Sequence, residues 1–228
     1  MDITPALIQQ CAPQVAPQTV AAVIRTESGG NPLAININYK KARLARRPAN
    51  RTEAIGWAKW LIQHGYNIDM GLMQVNSQHL PRLGLSVESL FEPCTNMRVG
   101  SDILTKNYLK ARTKYGGGQH ALYASLSAYN TGHFERGFRN GYVNRVYNNA
   151  GKPIVVQYDP NKSKKHHKSV ATNNNPGKYP PQQYNGQNTL ASNAPQTNNQ
   201  YYAPKNANTS INTGSTATAS NQTFAFVR

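Results

Sequence analysis

The sequence predicts a single, mainly α-helical domain over residues 1–150, with a small strand-and-loop element, followed by a disordered tail over residues 151–228. Three observations predict this arrangement. Apolar residues recur at helical spacing in the first part and are bounded by Pro, Thr and Gly, which start and stop helices. Strand-like alternation is sparse there, and the composition changes sharply after residue 150.

Five helices are expected in the first part. The first begins at Pro17, which suits the first helical position, carries Val20, Val23 and Ile24 on one face, and stops at Gly29-Gly30. The other four are expected from a cap at Thr52 to Gly65, from about Thr95 to the Gly116–Gly118 break, from Gln119 to before Gly132, and from Tyr142 to Asn149 with Val143, Val146 and Tyr147 inward.

Two short strands are expected besides the helices. Residues 71–76, Gly-Leu-Met-Gln-Val-Asn, have the best strand signal, although the segment is too short to found a sheet alone. A second short strand at Ile154-Val155-Val156 is expected to dock back on the domain.

The chain is strongly basic, with 25 Lys and Arg against 9 Asp and Glu and a net charge of +16. Residues 1–150 hold +9 of this charge, and residues 151–228 hold +7 over about half that length. The tail contains 13 Asn and 7 Gln but only 9 Leu, Ile, Val and Phe residues, too few to offset the entropy of ordering the backbone. This composition predicts disorder rather than a second core.

The charge favours a polyanionic partner, such as nucleic acid, anionic lipid or an acidic wall polymer. No run approaches the 18 apolar residues of a membrane-spanning helix. The first ten residues lack the basic and apolar regions of an ordinary secretory signal. A basic run, Lys40–Arg47 extended by Arg51, is expected to be either a solvated loop or a contact surface.

Cys11 and Cys94 are the two cysteines of the chain, and their separation excludes a CxxC redox or zinc motif. They are either two independent buried thiols or one disulfide. A disulfide would imply an oxidising compartment, whereas the missing signal argues against one. The residues alone leave both alternatives open.

Glu27 is the leading candidate for chemistry. It follows Val23 by four residues and Ile24 by three, so its carboxylate lies on the apolar face of the first expected helix, in the last turn. Burial and the negative end of the helix dipole both raise the pKa of a carboxyl group, as general-acid catalysis requires. The alternative is a structural ion pair with Arg25 or a distant arginine.

Three blocks occur in order: Glu27-Ser28-Gly29-Gly30, then Gly71-Leu72-Met73-Gln74-Val75-Asn76, then Ala128-Tyr129-Asn130. Together they resemble the lytic transglycosylases, which have a lysozyme-like fold and cleave peptidoglycan. With Cys11-Ala12-Pro13 and Glu92-Pro93-Cys94 added, the chain is similar to the murein-degrading component of type IV secretion and conjugation systems over about residues 10–150.

The resemblance implies roles for individual residues. Glu27 matches the single catalytic acid, and Ser28 shapes the turn after it. Substrate-binding roles are implied for Gly71, Leu72, Met73, Gln74, Asn76, Tyr129 and Asn130, with the Tyr129 hydroxyl near Glu27. The structural alternatives are Met73 in the core, Gln74 as a backbone cap and Tyr129 as an ordinary buried aromatic.

The resemblance also implies the reaction: cleavage between N-acetylmuramic acid and N-acetylglucosamine with a 1,6-anhydro product and no water consumed. Asp69, two residues before Gly71, is a candidate second carboxylate, which would instead make the protein a hydrolysing muramidase. A third alternative is a non-catalytic binding protein.

We expect peptidoglycan strands and other type IV secretion components as partners and a periplasmic location. No specific nucleic acid and no cofactor are expected. No metal site is expected either, because the histidines are scattered.

Overall fold

A computed structural model describes residues 2–39, 42–153 and 156–157, and within these residues the chain is mainly helical. The helices of this described part are α1 (Pro5–Cys11), α2 (Pro17–Glu27), α3 (Arg51–Gln63), α4 (His79–Leu83), α5 (Val87–Leu90), α6 (Pro93–Tyr115), α7 (Gln119–Thr131), α8 (Arg136–Arg139) and α9 (Tyr142–Ala150). Its strands are β1 (Asp2–Ile3), β2 (Ile35–Ile37), β3 (Ile68–Met70), β4 (Val75–Asn76) and β5 (Val156–Gln157).

The prediction of a mainly α fold with a small strand element is confirmed. The five expected helices correspond to α2, α3, α6, α7 and α9. Asn50, rather than Thr52, caps α3, because the Asn50 side chain accepts a hydrogen bond from the Glu53 amide at 2.9 Å. In α9, Tyr147 is 54% exposed, so its expected inward orientation is wrong; Val143 and Val146 are buried as expected.

The strand prediction for residues 71–76 holds only for its last two residues. Residues 71–74 form a turn between β3 and β4, in which Gly71 and Gln74 have positive φ angles of 76° and 49°. The strands β2, β3 and β4 form a three-stranded antiparallel sheet in that order. The sequence analysis missed β2 and β3 because each is three residues long and gives little periodic signal.

The small sheet has one polar and one apolar face, as alternation of side chains along a strand requires. The strand register pairs Asn36 with Asp69 and Asp69 with Asn76. The polar face, with the residues just beyond the strand ends, carries Asn36, Asn38, Asn67, Asp69 and Asn76. The apolar face contributes to a hydrophobic core through Ile35, Ile37, Ile68, Met70 and Val75.

The long helix α6 contributes to both of the larger hydrophobic cores of the described residues. One is built mainly by α1, α2, α7 and α9, and includes Met97 and Leu104 of α6. The other joins the sheet to α3 and α5, and includes Val99 of α6. Because α6 contributes to both cores, it fixes the position of the sheet relative to the helices.

Asn96 of α6 anchors the turn between β3 and β4. This side chain is 1% exposed. Its Nδ2 donates to Met70 O at 2.9 Å and to Leu90 O at 2.8 Å, and its Oδ1 accepts from Met73 N at 2.8 Å. Three of the four hydrogen-bonding positions of the amide are therefore used, namely both donors and one acceptor lone pair, as burial of an amide requires.

Cys11 in α1 and Cys94 in α6 form a disulfide, which selects one of the two alternatives left open by the sequence. The bond joins residues 83 positions apart. In the chain-entropy model a loop of this length contributes about 4 kcal/mol to the free energy of unfolding.

At the other end of the domain, β1 pairs antiparallel with β5, matching Ile3 to Val156. Val156 of the second expected strand thus lies in a strand, whereas Ile154, Val155 and residues 158–228 lie outside the described residues. No helix of the described part is long and apolar enough to cross a membrane.

The basic run is only partly a free surface. Lys40 and Lys41 lie outside the described residues. Arg46 pairs with Glu53 and lies 5.0 Å over the Trp57 ring. Arg51 pairs with Glu92 at 2.7 Å. These contacts hold the loop before α3 and the start of α3 against neighbouring elements, while Arg43 and Arg47 remain exposed.

Replacing Gly71 tests the anchoring role of Asn96. A Cβ at Gly71 would overlap the Asn96 side-chain amide, whereas a Cβ at Gly65 would meet nothing within 4 Å, although both glycines have nearly the same φ, 76° and 78°. Gly65→Ala should cost about 1–2 kcal/mol, the usual penalty of a left-handed conformation. Gly71→Ala should cost about 1–3 kcal/mol more, because a buried overlap is added. Urea unfolding measures both, and equal costs would show that Asn96 does not constrain the turn.

Candidate active site

Glu27 is the last residue of α2, and the buried residues before it determine where its carboxyl group lies. Val23 and Ile24 are fully buried, so the same face of the helix directs Glu27 inward. The helix ends at Glu27 because Ser28 turns the chain. The Ser28 Oγ donates to Ile24 O and accepts from the Gly30 amide, each at 3.2 Å. Ser28 therefore occupies the turn-shaping position that the resemblance implied.

The Glu27 carboxyl group accepts a hydrogen bond from Tyr142 of α9. The Tyr142 hydroxyl donates to Glu27 Oε1 at 2.6 Å, and the tyrosine is 1% exposed. The alternative partner, Arg25, points elsewhere and donates to Asn149 O and Pro153 O. Glu27 is thus oriented by a neutral donor and not by an ion pair with Arg25.

Burial raises the pKa of Glu27 from its ordinary value of 4.5 to about 7. The hydrogen bond from Tyr142 opposes this rise, because it stabilises the carboxylate. Asp69 adds to the rise through its negative charge, and Arg145 opposes it. The net result is a carboxyl group that holds its proton close to neutral pH.

Tyr129 of α7 is near Glu27 but does not bond it. The Tyr129 hydroxyl donates to Met73 O at 2.7 Å. Burial raises its pKa, and the charge of Glu27 raises it further, so the two groups are electrostatic neighbours. The tyrosine hydrogen-bonded to the acid is Tyr142, which the sequence analysis did not single out.

The turn of residues 71–74 shapes the site from within. Gly71 and Leu72 are buried and Met73 is fully buried, so Met73 packs in the core instead of offering a surface to a sugar. The half-buried Gln74 donates from Nε2 to Gly71 O at 2.9 Å and to Ala34 O at 3.2 Å, as the backbone-cap alternative describes.

Asp69 lies at the centre of the polar face of the sheet and is held by asparagine amides. Its Oδ1 accepts from Asn76 Nδ2 at 2.7 Å, and its Oδ2 accepts from Asn38 Nδ2 at 2.9 Å and from Asn36 Nδ2 at 3.4 Å. Within the described residues Asp69 forms no ion pair. It is a negative charge fixed by neutral donors.

Asn130, at the end of α7, belongs to a chain of hydrogen bonds that leads to Tyr142. Its Oδ1 accepts from Asn140 Nδ2 at 2.9 Å, and Asn140 Oδ1 accepts from the Tyr142 amide at 2.9 Å. Asn130 is exposed, so it both supports the tyrosine that orients Glu27 and faces solvent.

The arrangement can supply one proton and take one back. A carboxyl group with a pKa near 7 is a general acid when protonated and a general base when ionised. Because Tyr142 occupies Oε1, the proton is carried by Oε2. Among residues 2–39, 42–153 and 156–157, no three His, Cys, Asp or Glu side chains are grouped to hold a metal ion.

Tyr142 and Arg145 are the site residues that sequence reasoning missed. A signal for Tyr142 was present: a buried tyrosine on the apolar face of a helix needs a partner for its hydroxyl. Arg145 gave no local signal, because its proximity to Glu27 follows only from the packing of α9 against α2.

The chain is similar to known proteins over most of its described residues. Residues 5–151 match the family model described as the transglycosylase SLT domain. A protein named "Type IV secretion system protein virB1" from Brucella abortus biovar 1 is 43% identical over 159 residues, covering 66% of each chain. "Protein virB1" from Agrobacterium fabrum is 37% identical over 138 residues, covering 60% of this chain and 55% of that protein. No solved structure gives a significant match.

The matched segment therefore spans just under two thirds of the Brucella protein and just over half of the Agrobacterium protein. The family model covers most of the chain, from α1 to the residue after α9, and includes Glu27 and the elements that surround it. The chain belongs to the transglycosylase SLT domain family.

Proposed function

We propose that this protein is a lytic transglycosylase that cleaves the β-1,4 bond between N-acetylmuramic acid and N-acetylglucosamine in peptidoglycan and leaves a 1,6-anhydro product. The observation that carries the proposal is the Glu27 carboxyl group, held by Tyr142 at 2.6 Å, with its pKa raised by burial to about 7. One such group suffices for a reaction in which the same residue donates a proton and then accepts one.

In the first step, Glu27 Oε2 gives its proton to the glycosidic oxygen, and the bond from that oxygen to C1 of the muramic acid breaks. Positive charge develops at C1 and the ring oxygen. The N-acetyl oxygen of the same sugar stabilises C1, and the fixed charge of Asp69 favours a cationic centre nearby. The hydrogen bond from Tyr142 stabilises the Glu27 carboxylate left behind.

In the second step, the Glu27 carboxylate takes the proton from the C6 hydroxyl of the muramic acid. The C6 oxygen then bonds C1 and closes the 1,6-anhydro ring. Glu27 is protonated again, no water is consumed, and the site is ready for another bond. A pKa near 7 suits both steps, because neither protonation state is strongly disfavoured.

A hydrolysing muramidase that uses Asp69 with Glu27 is the second candidate. It is favoured by the proximity of Asp69, whose charge affects the pKa of Glu27. Against it, both Asp69 oxygens already accept amide hydrogen bonds, which restrains the carboxylate from attacking C1 or activating a water. A non-catalytic binding protein is the third candidate, and it gives no role to a raised pKa at Glu27.

The biological setting is inferred from the relatives and the disulfide. The Brucella relative is named as a type IV secretion system protein. The Cys11–Cys94 disulfide is typical of proteins in an oxidising compartment, which favours the periplasm. We infer that the protein opens the wall locally for a secretion or conjugation apparatus and works beside other components of it.

Glu27→Gln tests the chemistry directly. The glutamine keeps the size of the side chain but cannot exchange a proton, so turnover of purified peptidoglycan should fall by at least about a thousandfold. Mass spectrometry of the soluble products should find 1,6-anhydromuropeptides with the parent protein and none with the variant. Binding to insoluble peptidoglycan is the control and should persist. A variant as active as the parent would exclude Glu27 as the acid.

The raised pKa predicts a stability effect that does not depend on activity. Between pH 4.5 and about 7, folded Glu27 holds a proton that the unfolded chain has lost, so stability falls as the pH rises through this window. Glu27→Gln removes this loss. The variant should therefore melt higher than the parent at pH 8, and this advantage should be absent at pH 4. Thermal unfolding at both pH values measures it; an equal difference at both would contradict the raised pKa.

Asp69→Asn separates the lyase from the hydrolase. Loss of the fixed negative charge should lower kcat about tenfold and move the alkaline limb of the pH profile to lower pH, because Asp69 raises the pKa of Glu27. The product should remain 1,6-anhydro. Asp102→Asn, on α6, is the matched control and should leave the limb in place. Near-complete loss of activity, with residual product ending in reducing muramic acid, would favour the muramidase.

A further inference from the structure

Arg145 of α9 lies next to Tyr142, and its charge acts on Glu27. Its guanidinium is over the Tyr142 ring, 5.8 Å from the centroid, and its Nη1 donates to Asn140 O at 3.1 Å. Tyr142 is the residue that orients Glu27. Two contacts therefore hold the guanidinium in place, and one of them is with Tyr142, the residue that binds Glu27.

This guanidinium has unused binding capacity. Arginine carries five N–H donors, and in the described part of the chain the bond to Asn140 O is the one hydrogen bond in which the Arg145 side chain takes part. No carboxylate of these residues forms an ion pair with it, and its side chain is exposed. Unpaired donors in a fixed fork are the arrangement that binds carboxylates in a bidentate manner.

In the free protein the charge of Arg145 opposes the chemistry of its neighbour. Of the groups that face Glu27, Asp69 on β3 raises its pKa, while Tyr142 and Arg145 on α9 lower it; Tyr129 on α7 is a further neutral neighbour. Tyr142 lowers the pKa of Glu27, but it also orients the Glu27 carboxyl group. Arg145 does not touch Glu27, so its position beside the acid calls for a different partner, and an anion bound there would cancel its opposing charge.

We propose that Arg145 binds a carboxylate of the peptide carried by muramic acid, so that the enzyme prefers peptide-bearing glycan to bare glycan. This rests on the proposed function, which places the muramic acid C1 at Glu27. The peptide leaves the sugar through the lactyl group on C3, two ring atoms from C1, and carries several carboxylates. The Arg145 guanidinium lies over the ring of Tyr142, whose hydroxyl binds Glu27, so it is placed to meet that peptide.

A purely structural role for Arg145 is the competing explanation. In it, the arginine only braces the residues before α9 through Asn140 O and covers the Tyr142 ring. The two explanations differ in their dependence on substrate: bracing affects every substrate equally, whereas carboxylate binding affects only substrates that carry the peptide.

The experiment compares two substrates made from the same material. One is peptide-bearing glycan strands; the other is the same strands after an amidase has removed the peptides and the lactyl carboxylates that the amidase exposes have been converted to methylamides. The release of 1,6-anhydro products gives kcat/KM for each. The parent should prefer the peptide-bearing strands by about five- to tenfold, and Arg145→Gln should lose this preference. The kcat/KM of the variant should fall more on the peptide-bearing strands than on the bare strands, and the ratio of the two values removes the effect of the lost charge on Glu27, which is common to both substrates. Raising the salt to about 0.5 M should weaken the preference of the parent, since an exposed ion pair is screened.

Two further variants serve as controls. Arg145→Lys keeps the charge but not the fork, so it should retain part of the preference. Arg112→Gln, which removes an exposed arginine of α6 distant in sequence from every site residue, should retain all of it. The melting temperature of Arg145→Gln checks that the fold is intact.

Two results would overturn the proposal. Equal losses on both substrates in Arg145→Gln would assign the arginine to bracing, and a parent protein without preference would leave no carboxylate to bind. Neither result touches the proposed function, because both still yield 1,6-anhydro products. Absence of such products from the parent on either substrate would instead overturn the proposed function, and this proposal with it.

Discussion

The position of the sheet relative to the helices depends on one buried amide. Asn96 of α6 bonds the backbone on both sides of the turn of residues 71–74, through Met70 O and Met73 N. Met73 O in turn accepts a hydrogen bond from the Tyr129 hydroxyl, and this bond connects the turn to α7. Because α6 contributes to both hydrophobic cores, this amide transmits the packing of the helices to the strand that carries Asp69. A buried amide with three satisfied bonds tolerates little displacement.

The acid itself is a balance of opposing effects. Burial raises the pKa of Glu27, and it is the largest effect; the hydrogen bond from Tyr142 lowers it while fixing the carboxyl group in one orientation. Asp69 and Arg145 act in opposite directions from the sheet and from α9. In the proposed reaction the same residue donates a proton and then accepts one. Such a balance suits both steps, since a strongly shifted pKa would favour one step at the expense of the other.

The polar face of the sheet restrains the second carboxylate near Glu27, that of Asp69. Asparagine amides satisfy both Asp69 oxygens, so its charge is held at a fixed place. A fixed charge stabilises a cationic centre at a distance, whereas a nucleophile must move to the anomeric carbon. The turn of residues 71–74 also shapes the site from inside the domain, because its buried side chains do not face the site.

The sequence alone determined five of the described helices and the position of the candidate acid Glu27 on one of them, because both depend on local signals. Pro17 and the glycines after Glu27 bound α2, and Val23 and Ile24 place the carboxyl group on its apolar face. Only the tertiary structure decided the partners: Tyr142 bonds Glu27 across 115 positions, and two distant cysteines form the disulfide. Such contacts depend on how whole helices pack, and no periodicity within one segment encodes them. The short strands β2 and β3 were not predicted, since three residues are too few to show a period.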